Sequence, residues 1–291
     1  MWNKIRRWIS KKQDTLSEKG KNNKDKIIFK NLDKNVEIIK TYFNKVEDIR
    51  YREIELKVHD KKTNRIVLTY INSLIDADML SNYIIRPLMT QAQEKISKNS
   101  NKNIEKIIEE EILDINKVKY ENKFNAIIDK ILSGNTVLFI ENSNLALVLG
   151  TQGWEEKAVS PPKAERTVKG PDLAFVENVK TNMGLIRRFI KSNKLKMFSY
   201  IKGKYTKTKI NIIYMEGIVK PDIIRELKSR LEQIDVDQII GSLQVMELIE
   251  DNPNSPFDTV FETERPDVIA AGILEGRIAI LVDGDSTVLM V

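Results

Sequence analysis

The chain of 291 residues contains no cysteine, which excludes disulfides, thiolate metal sites, iron–sulfur clusters and a cysteine nucleophile. Its one histidine, His59, provides too few ligands for most zinc sites and cannot support a histidine proton relay. No apolar run reaches about eighteen residues, the length that predicts a membrane-spanning helix. We therefore expect no catalytic residue, no metal and no cofactor, and we predict that the chain is not an enzyme.

Positive charge is concentrated at the N-terminus. The net charge is +6, but residues 1–30 hold ten Lys or Arg against three Asp or Glu, so the rest of the chain is nearly neutral. Residues 1–26 are predicted to form a basic flexible arm, because most of the arm is too polar to offset the entropy of ordering. Its first residues alternate tryptophan and isoleucine with cations, which suits a lipid headgroup layer, although a frayed terminus without a role fits as well.

The remaining chain divides into two segments that each contain both helix and strand patterns. Residues 27–158 form the predicted N-terminal subdomain, residues 159–168 a proline-containing linker, and residues 169–291 the C-terminal subdomain. The predicted fold class is α/β, with two α/β subdomains built on small mixed sheets and joined by this short linker. We detect no internal repeat in the sequence.

Apolar residues at 3.6-residue spacing predict helices, and alternating or short apolar runs predict strands. The predicted helices cover residues 27–43, 76–89, 104–113, 124–132, 172–190, 221–234, 243–250 and 265–276. The predicted strands cover residues 51–58, 65–71, 135–140, 145–149, 195–201, 209–215, 277–282 and 287–291. Asp283 and Gly284 between two apolar strands indicate a hairpin turn rather than a metal site.

Two further groups of residues are candidates for interaction. The basic interaction candidates are Lys169, Arg187 and Arg188. Arg187 and Arg188 lie at the end of a predicted helix, where cations either complement the helix macrodipole or contact an acidic partner. A proline-broken loop after residue 249 and two charged turns beyond it predict either a structural latch or a partner interface, since short connections bring opposite charges together. The latch candidates are Glu250, Asp251, Asn252, Ser255, Glu264, Arg265, Asp267, Glu275 and Arg277. The basic cluster lacks interleaved aromatic residues, so we expect no nucleic acid as a partner.

Several stretches in a fixed order resemble a known family. They are Lys169-Gly170-Pro171, Thr181-Asn182, Ile186-Arg187-Arg188, Thr206-Lys207-Thr208-Lys209, Tyr214 to Ile218, Ile234 to Asp237, Glu250 to Phe257, Glu264 to Asp267, Leu274 to Arg277 and Val282 to Gly284. Together they resemble the cytoplasmic N-terminal region of the A subunit in the GerA family of bacterial spore germinant receptors, and its relative, stage V sporulation protein AF. Lys169 departs from the arginine that is common in the family at that position.

This resemblance implies a receptor subunit that works with B and C subunits in the spore inner membrane, where receptors respond to nutrients such as amino acids or sugars. It also implies homo-oligomerisation through the A subunit, with this region on the cytoplasmic side, facing the spore core. Membrane helices are expected to follow Val291, and the basic arm is a second candidate for membrane contact.

Two functional hypotheses follow. In the first, packing between the two subdomains changes when nutrient binds, and the change passes to the membrane part. In the second, the pair of subdomains is a nutrient-binding clamp with a pocket between them.

Overall fold

The computed structural model describes residues 26–58, 62–99, 102–153, 173–250 and 260–291. These residues form two units, each with its own β-sheet and cores: a first unit of residues 26–153 and a second unit of residues 173–291. The predicted linker and all but the last residue of the predicted basic arm lie outside the described residues. Within the described ranges, no helix combines the length and apolarity that a bilayer crossing requires.

The first unit begins with a helix and a long hairpin and ends with a helix and a short hairpin. Its strands are β1 (Ile49–Val58), β2 (Lys62–Ile71), β3 (Val118–Glu121), β4 (Thr136–Ile140) and β5 (Ala146–Leu149). Its helices are α1 (Leu32–Tyr42), α2 (Ala77–Met79), α3 (Arg86–Thr90), α4 (Ala92–Lys98), α5 (Ile104–Ile107) and α6 (Phe124–Leu132). Two π-helical stretches, Leu80–Ile85 and Ile108–Ile112, directly follow α2 and α5.

The second unit has the same arrangement with a shorter helical segment in the middle. Its helices are α7 (Val179–Phe189), α8 (Pro221–Gln233), α9 (Ser242–Ile249) and α10 (Pro266–Glu275). Its strands are β6 (Leu195–Lys202), β7 (Thr208–Met215), β8 (Phe261–Thr263), β9 (Ala279–Val282) and β10 (Val288–Met290).

Both sheets have five strands in the same spatial order. The first sheet runs β1-β2-β4-β5-β3 and the second runs β6-β7-β9-β10-β8. The combination of helices and sheets in two units confirms the predicted class. All the strand pairs described are antiparallel, which corrects the expectation of mixed sheets. Four of the eight strand pairs, β1–β2, β4–β5, β6–β7 and β9–β10, are joined by short loops, which cannot connect parallel strands.

The two units are copies of one module. The expectation of no internal repeat is therefore wrong. Besides the strand order, they share a detail at the entry to their first helix. Asn35 accepts a hydrogen bond from the Phe29 amide at 2.8 Å and donates one to the Phe29 carbonyl at 2.6 Å. Asn182 makes the same pair of bonds to Val176, at 2.8 and 2.5 Å. In both units a buried asparagine therefore fixes the chain that enters the helix.

Each sheet is covered on both faces, which explains why its inner strands β4, β5, β9 and β10 are almost entirely apolar. In the first unit, α1 and α6 pack on one face and the helices between β2 and β3 pack on the other. In the second unit, α7 and α10 cover one face, while α8 and α9 cover the other. All five residues of β4 and all four of β9 are buried, as strands in the middle of a covered sheet should be.

The structure corrects several helix boundaries and adds two short strands. The helix predicted from residue 172 begins at Val179, because Asn178 caps it by accepting hydrogen bonds from the amides of Lys180 and Thr181. The short strands β3 and β8 are absent from the sequence prediction, and they occupy equivalent edge positions in the two sheets. Other expectations are confirmed, including the Asp76 cap, whose carboxylate accepts a hydrogen bond from the Met79 amide at 2.8 Å.

Candidate functional site: the joint between the two units

The two units meet at a buried ion pair. The Arg187 guanidinium in α7 donates to both carboxylate oxygens of Asp48, from Nε and Nη2, at 2.7 Å each. Only 1% of the Arg187 side chain and 4% of the Asp48 side chain are accessible to solvent. A bidentate ion pair fixes the orientation of its two groups relative to each other. Because the pair is buried, removing either partner leaves an uncompensated buried charge. The third guanidinium nitrogen of Arg187 is buried without a hydrogen-bond partner in the described part of the chain.

The first unit supports this pair with residues from the turn after β2. Ser73 donates a hydrogen bond from Oγ to Asp48 Oδ2 at 2.8 Å, and the Asn72 amide donates to the Asp48 carbonyl at 2.8 Å. Helix α7 approaches this turn closely at Gly184, where an added Cβ would lie 2.5 Å from the Ser73 carbonyl oxygen. We call Asp48, Ser73, Gly184 and Arg187 the joint.

Beside the joint, the chain between α1 and β1 contacts the edge strand of the second sheet. The Met197 amide donates to the Lys45 carbonyl at 3.2 Å, and Val46 forms a parallel bridge with Met197. Ser199 Oγ donates to a Glu47 carboxylate oxygen at 2.7 Å. The first unit thus covers part of the exposed β6 edge, a surface that would otherwise be free to pair with another chain.

A second buried cation lies at the same contact. Lys196 Nζ donates to the Asn44 carbonyl of the first unit at 2.7 Å and to the Asn193 carbonyl at 2.9 Å. Burial lowers the pKa of Lys196, and Glu216, whose carboxylate lies 3.4 Å from Nζ, only partly offsets that effect. The contact between the units is therefore polar and charge-specific, which distinguishes it from a purely apolar core.

The structure separates the basic residues that the sequence grouped together. Arg187 reaches an acidic partner, as one interpretation held, but that partner is Asp48 of the same chain. Arg188 follows it in the last turn of α7 and is partly exposed. Lys169 lies outside the described residues. Arg187 is therefore buried inside the molecule rather than displayed on its surface.

Two of the latch candidates, Arg265 and Asp267, form an ion pair in the second unit. Arg265 donates to both carboxylate oxygens of Asp267, at 2.6 and 3.2 Å, where α10 begins. The neighbouring Glu264 carbonyl accepts a hydrogen bond from the Phe175 amide at 2.8 Å. Both contacts lie within the second unit: the ion pair is local in sequence, and the Phe175 bond joins the segment before α7 to the segment before α10.

Other latch candidates line two adjoining cavities, which share Val260 and Val291. Glu250 borders one of about 480 Å³ between α8 and α9, and Arg277 borders one of about 730 Å³ next to β8 and β10. Glu275 ends α10 and is exposed. Asp251, Asn252 and Ser255 lie outside the described residues. The described residues therefore remain candidates for a latch or a partner interface.

Two more cavities lie in the first unit, with volumes of about 500 and 380 Å³. Each of these four cavities is lined by residues of a single unit, so they give no support to a clamp between the units.

The turn between β9 and β10 links two helices of the second unit. Asp285 accepts hydrogen bonds from the amide and hydroxyl of Ser242, both at 2.7 Å, and thereby caps α9. Asp283 in the same turn accepts one from the Val179 amide at 3.2 Å, at the start of α7. Partial burial pushes the pKa of Asp285 upward, but the hydrogen bonds from Ser242 and Thr287 outweigh it and hold that pKa below its ordinary value.

We predict that Asp285→Asn lowers the melting temperature at pH 7 and that the difference from the unchanged protein disappears in acid. Because the folded-state pKa is depressed, the carboxylate stabilises the fold above its unfolded-state pKa of about 3.9, and this contribution is lost as pH falls through the folded-state value. Thermal melts between neutral pH and acid measure the difference. Asp129→Asn, at an exposed position of α6, serves as the control and should change the melting temperature little. A constant difference at every pH would contradict the role of the Asp285 charge.

Sequence reasoning missed Asp48, Ser73 and Gly184. Asp48 and Arg187 are 139 positions apart in the chain, and no local pattern relates them. The only local signal was a pair of acids, Glu47 and Asp48, between Val46 and Ile49 just before a predicted strand. Such acids are compatible with an ordinary surface position, so the joint became visible only in three dimensions.

Two copies of one helix-and-sheet module, joined through a buried ion pair, define a two-lobed domain. The protein family described as Bacillus/Clostridium GerA spore germination protein matches residues 37–291, a range that includes the second unit, the first unit from residue 37 onward, and the joint. The chain belongs to this family, which confirms the resemblance seen in its sequence.

Similar proteins agree with this assignment. The chain is 34% identical over 264 residues to spore germination protein KA of Bacillus subtilis, covering 91% of this chain and 47% of that protein. It is 30% identical over 239 residues to stage V sporulation protein AF of the same organism, covering 81% of this chain and 46% of that protein. The chain therefore spans about half the length of these relatives.

A solved structure shares the fold. It is the crystal structure of the N-terminal domain of the A subunit of the Bacillus megaterium spore germinant receptor GerK3. The TM-score is 0.69 and the identity is 31%, and the match covers 91% of this chain and 96% of that domain.

Proposed function

We propose that this chain is the N-terminal region of a spore germinant receptor A subunit and takes part in the nutrient response that triggers germination. Family membership and the match to a receptor N-terminal domain support this role. The proposal includes the cytoplasmic side of the spore inner membrane, a complex with B and C subunits, and self-association of the A subunit. It includes no catalytic step, in keeping with a chain that has no cysteine and one histidine.

Within that role, the domain acts by coupling its two lobes. The observation that carries this proposal is the joint, where a buried and bidentate Arg187–Asp48 pair connects two otherwise separate cores. Such a contact is sensitive to orientation, because a small rotation of one lobe breaks two charge-assisted hydrogen bonds at once. A nutrient or partner subunit that favours one arrangement of the lobes would shift the population by its differential affinity for the two arrangements.

Conservative replacement at the joint tests the coupling. We expect Arg187→Lys in the full-length receptor to slow nutrient-triggered germination at least about tenfold, since lysine retains the charge but cannot form the planar two-bond contact with Asp48. Germination is followed by the loss of optical density in spores that depend on this receptor, with receptor abundance measured by immunoblot. Arg188→Lys, at the next position of the same helix, is the matched control and should germinate normally. Normal germination of Arg187→Lys spores with normal receptor abundance would refute the coupling role.

The Arg265–Asp267 pair gives a second test at a distance from the joint. We expect Arg265→Ala in the full-length receptor to reduce the germination rate without loss of the folded protein, because the pair lies at the start of α10, beside the contact with Phe175. Arg225→Ala removes a comparable pair with Asp222 that is largely exposed, and it serves as the control. Equal germination rates for the two variants would remove the latch interpretation.

A further inference from the structure

The contact between the units has a counterpart on the first unit, because the two units are copies of one module. Helix α1 corresponds to α7 residue for residue, since Asn31 and Asn35 play the roles of Asn178 and Asn182. Strand β1 corresponds to β6, since each begins opposite the last residue of its hairpin partner. The place on the second unit that holds the chain before β1 therefore has an equivalent on the first unit.

On the second unit, this place is occupied by residues 44–48 of the same chain. Three donors hold the segment: the Met197 amide, the Lys196 ammonium and the Arg187 guanidinium. The first two bind backbone carbonyls at 3.2 and 2.7 Å, and the third binds the Asp48 carboxylate at 2.7 Å. The occupant thus supplies two carbonyls and one acid to a strand edge and the end of a helix.

Each of these donors has a counterpart on the first unit. By position in the module, the counterparts are Lys40 in α1 and Arg50 and Tyr51 in β1. The match extends to geometry, since Arg50 donates to the Glu47 carbonyl at 2.6 Å and Lys196 donates to the corresponding carbonyl of the second unit at 2.9 Å. The first unit therefore presents the same kinds of donor in the same arrangement.

The site on the first unit is accessible to solvent. Lys40 and Arg50 are exposed, whereas Arg187 and Lys196 are 1% and 5% accessible. Neither exposed cation forms an ion pair within the described ranges, and Lys40 lies over the Tyr51 ring at 5.5 Å. No described strand pairs with the outer edge of β1, and such an edge is a template for another chain.

The charge at this edge favours an acidic occupant. The exposed cations here are Lys40, Arg50 and Arg52. Among the nearby acids, Glu47 accepts a hydrogen bond from Ser199, and Glu53 pairs with Arg65 at 3.3 Å. Glu37 and, further along β1, Glu55 have no side-chain partner in the described part of the chain. The balance next to Lys40 and Arg50 is therefore positive.

A second copy of the chain does not suit this site. In the second unit, the segment equivalent to residues 44–48 is residues 190–194, which contains Lys191 and Lys194 and no acid. Lys194 stands where Asp48 stands in the first unit, so a second copy docked in the same way would bring cations to Lys40 and Arg50. Like charges at such a contact disfavour it.

We propose that Lys40, Arg50 and the outer edge of β1 bind an acidic segment of a partner protein, in the manner in which the second unit binds residues 44–48. The partner supplies a carboxylate to Lys40, a backbone carbonyl to Arg50 and another to the Tyr51 amide. Main-chain bonds at the edge contribute affinity, and the two cations select the acidic segment. This proposal goes beyond the germination role, and its failure would leave that role untouched.

A peptide copy of the built-in segment tests the proposal. The probe is a fluorescent peptide of residues 43–49 with serine in place of Glu47, because Glu53 takes the place of Ser199 on the first unit. Fluorescence anisotropy measures its binding to the 291-residue chain. We expect saturable binding that becomes at least about fivefold weaker in the variant Lys40→Glu/Arg50→Glu, with an unchanged melting curve. A peptide that also carries Asp48→Lys should not bind.

The matched control reverses two exposed charges of the second unit, Lys180→Glu/Lys220→Glu, and should bind the probe as the unchanged chain does. Hydrogen exchange should show protection of residues 49–53 by the probe. Equal binding by the Lys40→Glu/Arg50→Glu variant, equal binding of the Asp48→Lys peptide, or protection confined to β6 would overturn the proposal. Dimers in sedimentation that this variant abolishes would assign the site to a second copy and would equally overturn it.

Discussion

Arg187→Ala is expected to lower the free energy of unfolding by about 3–5 kcal/mol, because it leaves the Asp48 carboxylate buried without its charge partner. Asp48 is 4% exposed and retains only the Ser73 hydroxyl as a side-chain donor in the described structure. Urea denaturation of the chain measures the loss. The control is Arg225→Ala, which removes an arginine from an exposed pair and should cost less than about 1 kcal/mol.

A double-mutant cycle separates the pair from its surroundings. Combining Arg187→Ala with Asp48→Ala removes both charges, so the double variant should lose markedly less stability than the sum of the two single variants. An additive result would mean that the two side chains act independently. In that case the ion pair would not couple the two units.

Gly184→Val is the second substitution with a large expected effect, at about 1–3 kcal/mol of destabilisation. The added Cβ would lie 2.5 Å from the backbone oxygen of Ser73, and a backbone atom cannot turn away as a flexible side chain can. Helix propensity acts in the opposite direction, since valine is a better helix former than glycine. The destabilisation would therefore come from separation of α7 and the turn after β2.

Urea denaturation also measures the Gly184 effect, with Lys180→Val at an exposed position of the same helix as the control. That control carries the propensity cost of a β-branched residue without the close approach to Ser73. Gly184→Val should destabilise more than Lys180→Val. If the two variants lose the same stability, the helix does not press against the turn.

Local sequence patterns were sufficient to predict most of the helices and strands. The helix from Phe124 to Leu132 has its predicted bounds, and Gly134 follows it with a φ of +84°, a conformation that favours glycine. The strands β3 and β8 were not predictable in the same way. They have three or four residues, mix charged and apolar side chains, and depend on the neighbouring strand for their pairing.

The internal repeat was hidden because the two modules share topology rather than residues. Their cores hold different apolar residues at equivalent places, and cores tolerate such changes when volume and patterning are kept. A weak trace was present, since Asn31 and Asn35 recur as Asn178 and Asn182 at the same spacing. The structure shows that the first asparagine of each pair caps a helix and the second fixes the chain before it.

The repeat also shows where the two modules differ. The Asn72 amide donates to the Asp48 carbonyl in the first unit, and the Glu216 amide donates to the Lys194 carbonyl at the equivalent place in the second. An acid in one module thus corresponds to a cation in the other. The joint is therefore a specialisation of one copy, which is why neither the repeat nor any local motif could have predicted it.

The most direct measurement is germination of spores whose full-length receptor carries Asp48→Arg and Arg187→Asp together, compared with each single variant at equal receptor abundance. Coupling through the joint predicts that each single variant germinates poorly and that exchanging the two charges restores a substantial part of the rate, since the opposite pair can re-form across the same contact. Single variants that germinate at the unchanged rate, or an exchange that restores nothing while the receptor remains folded and abundant, would contradict it.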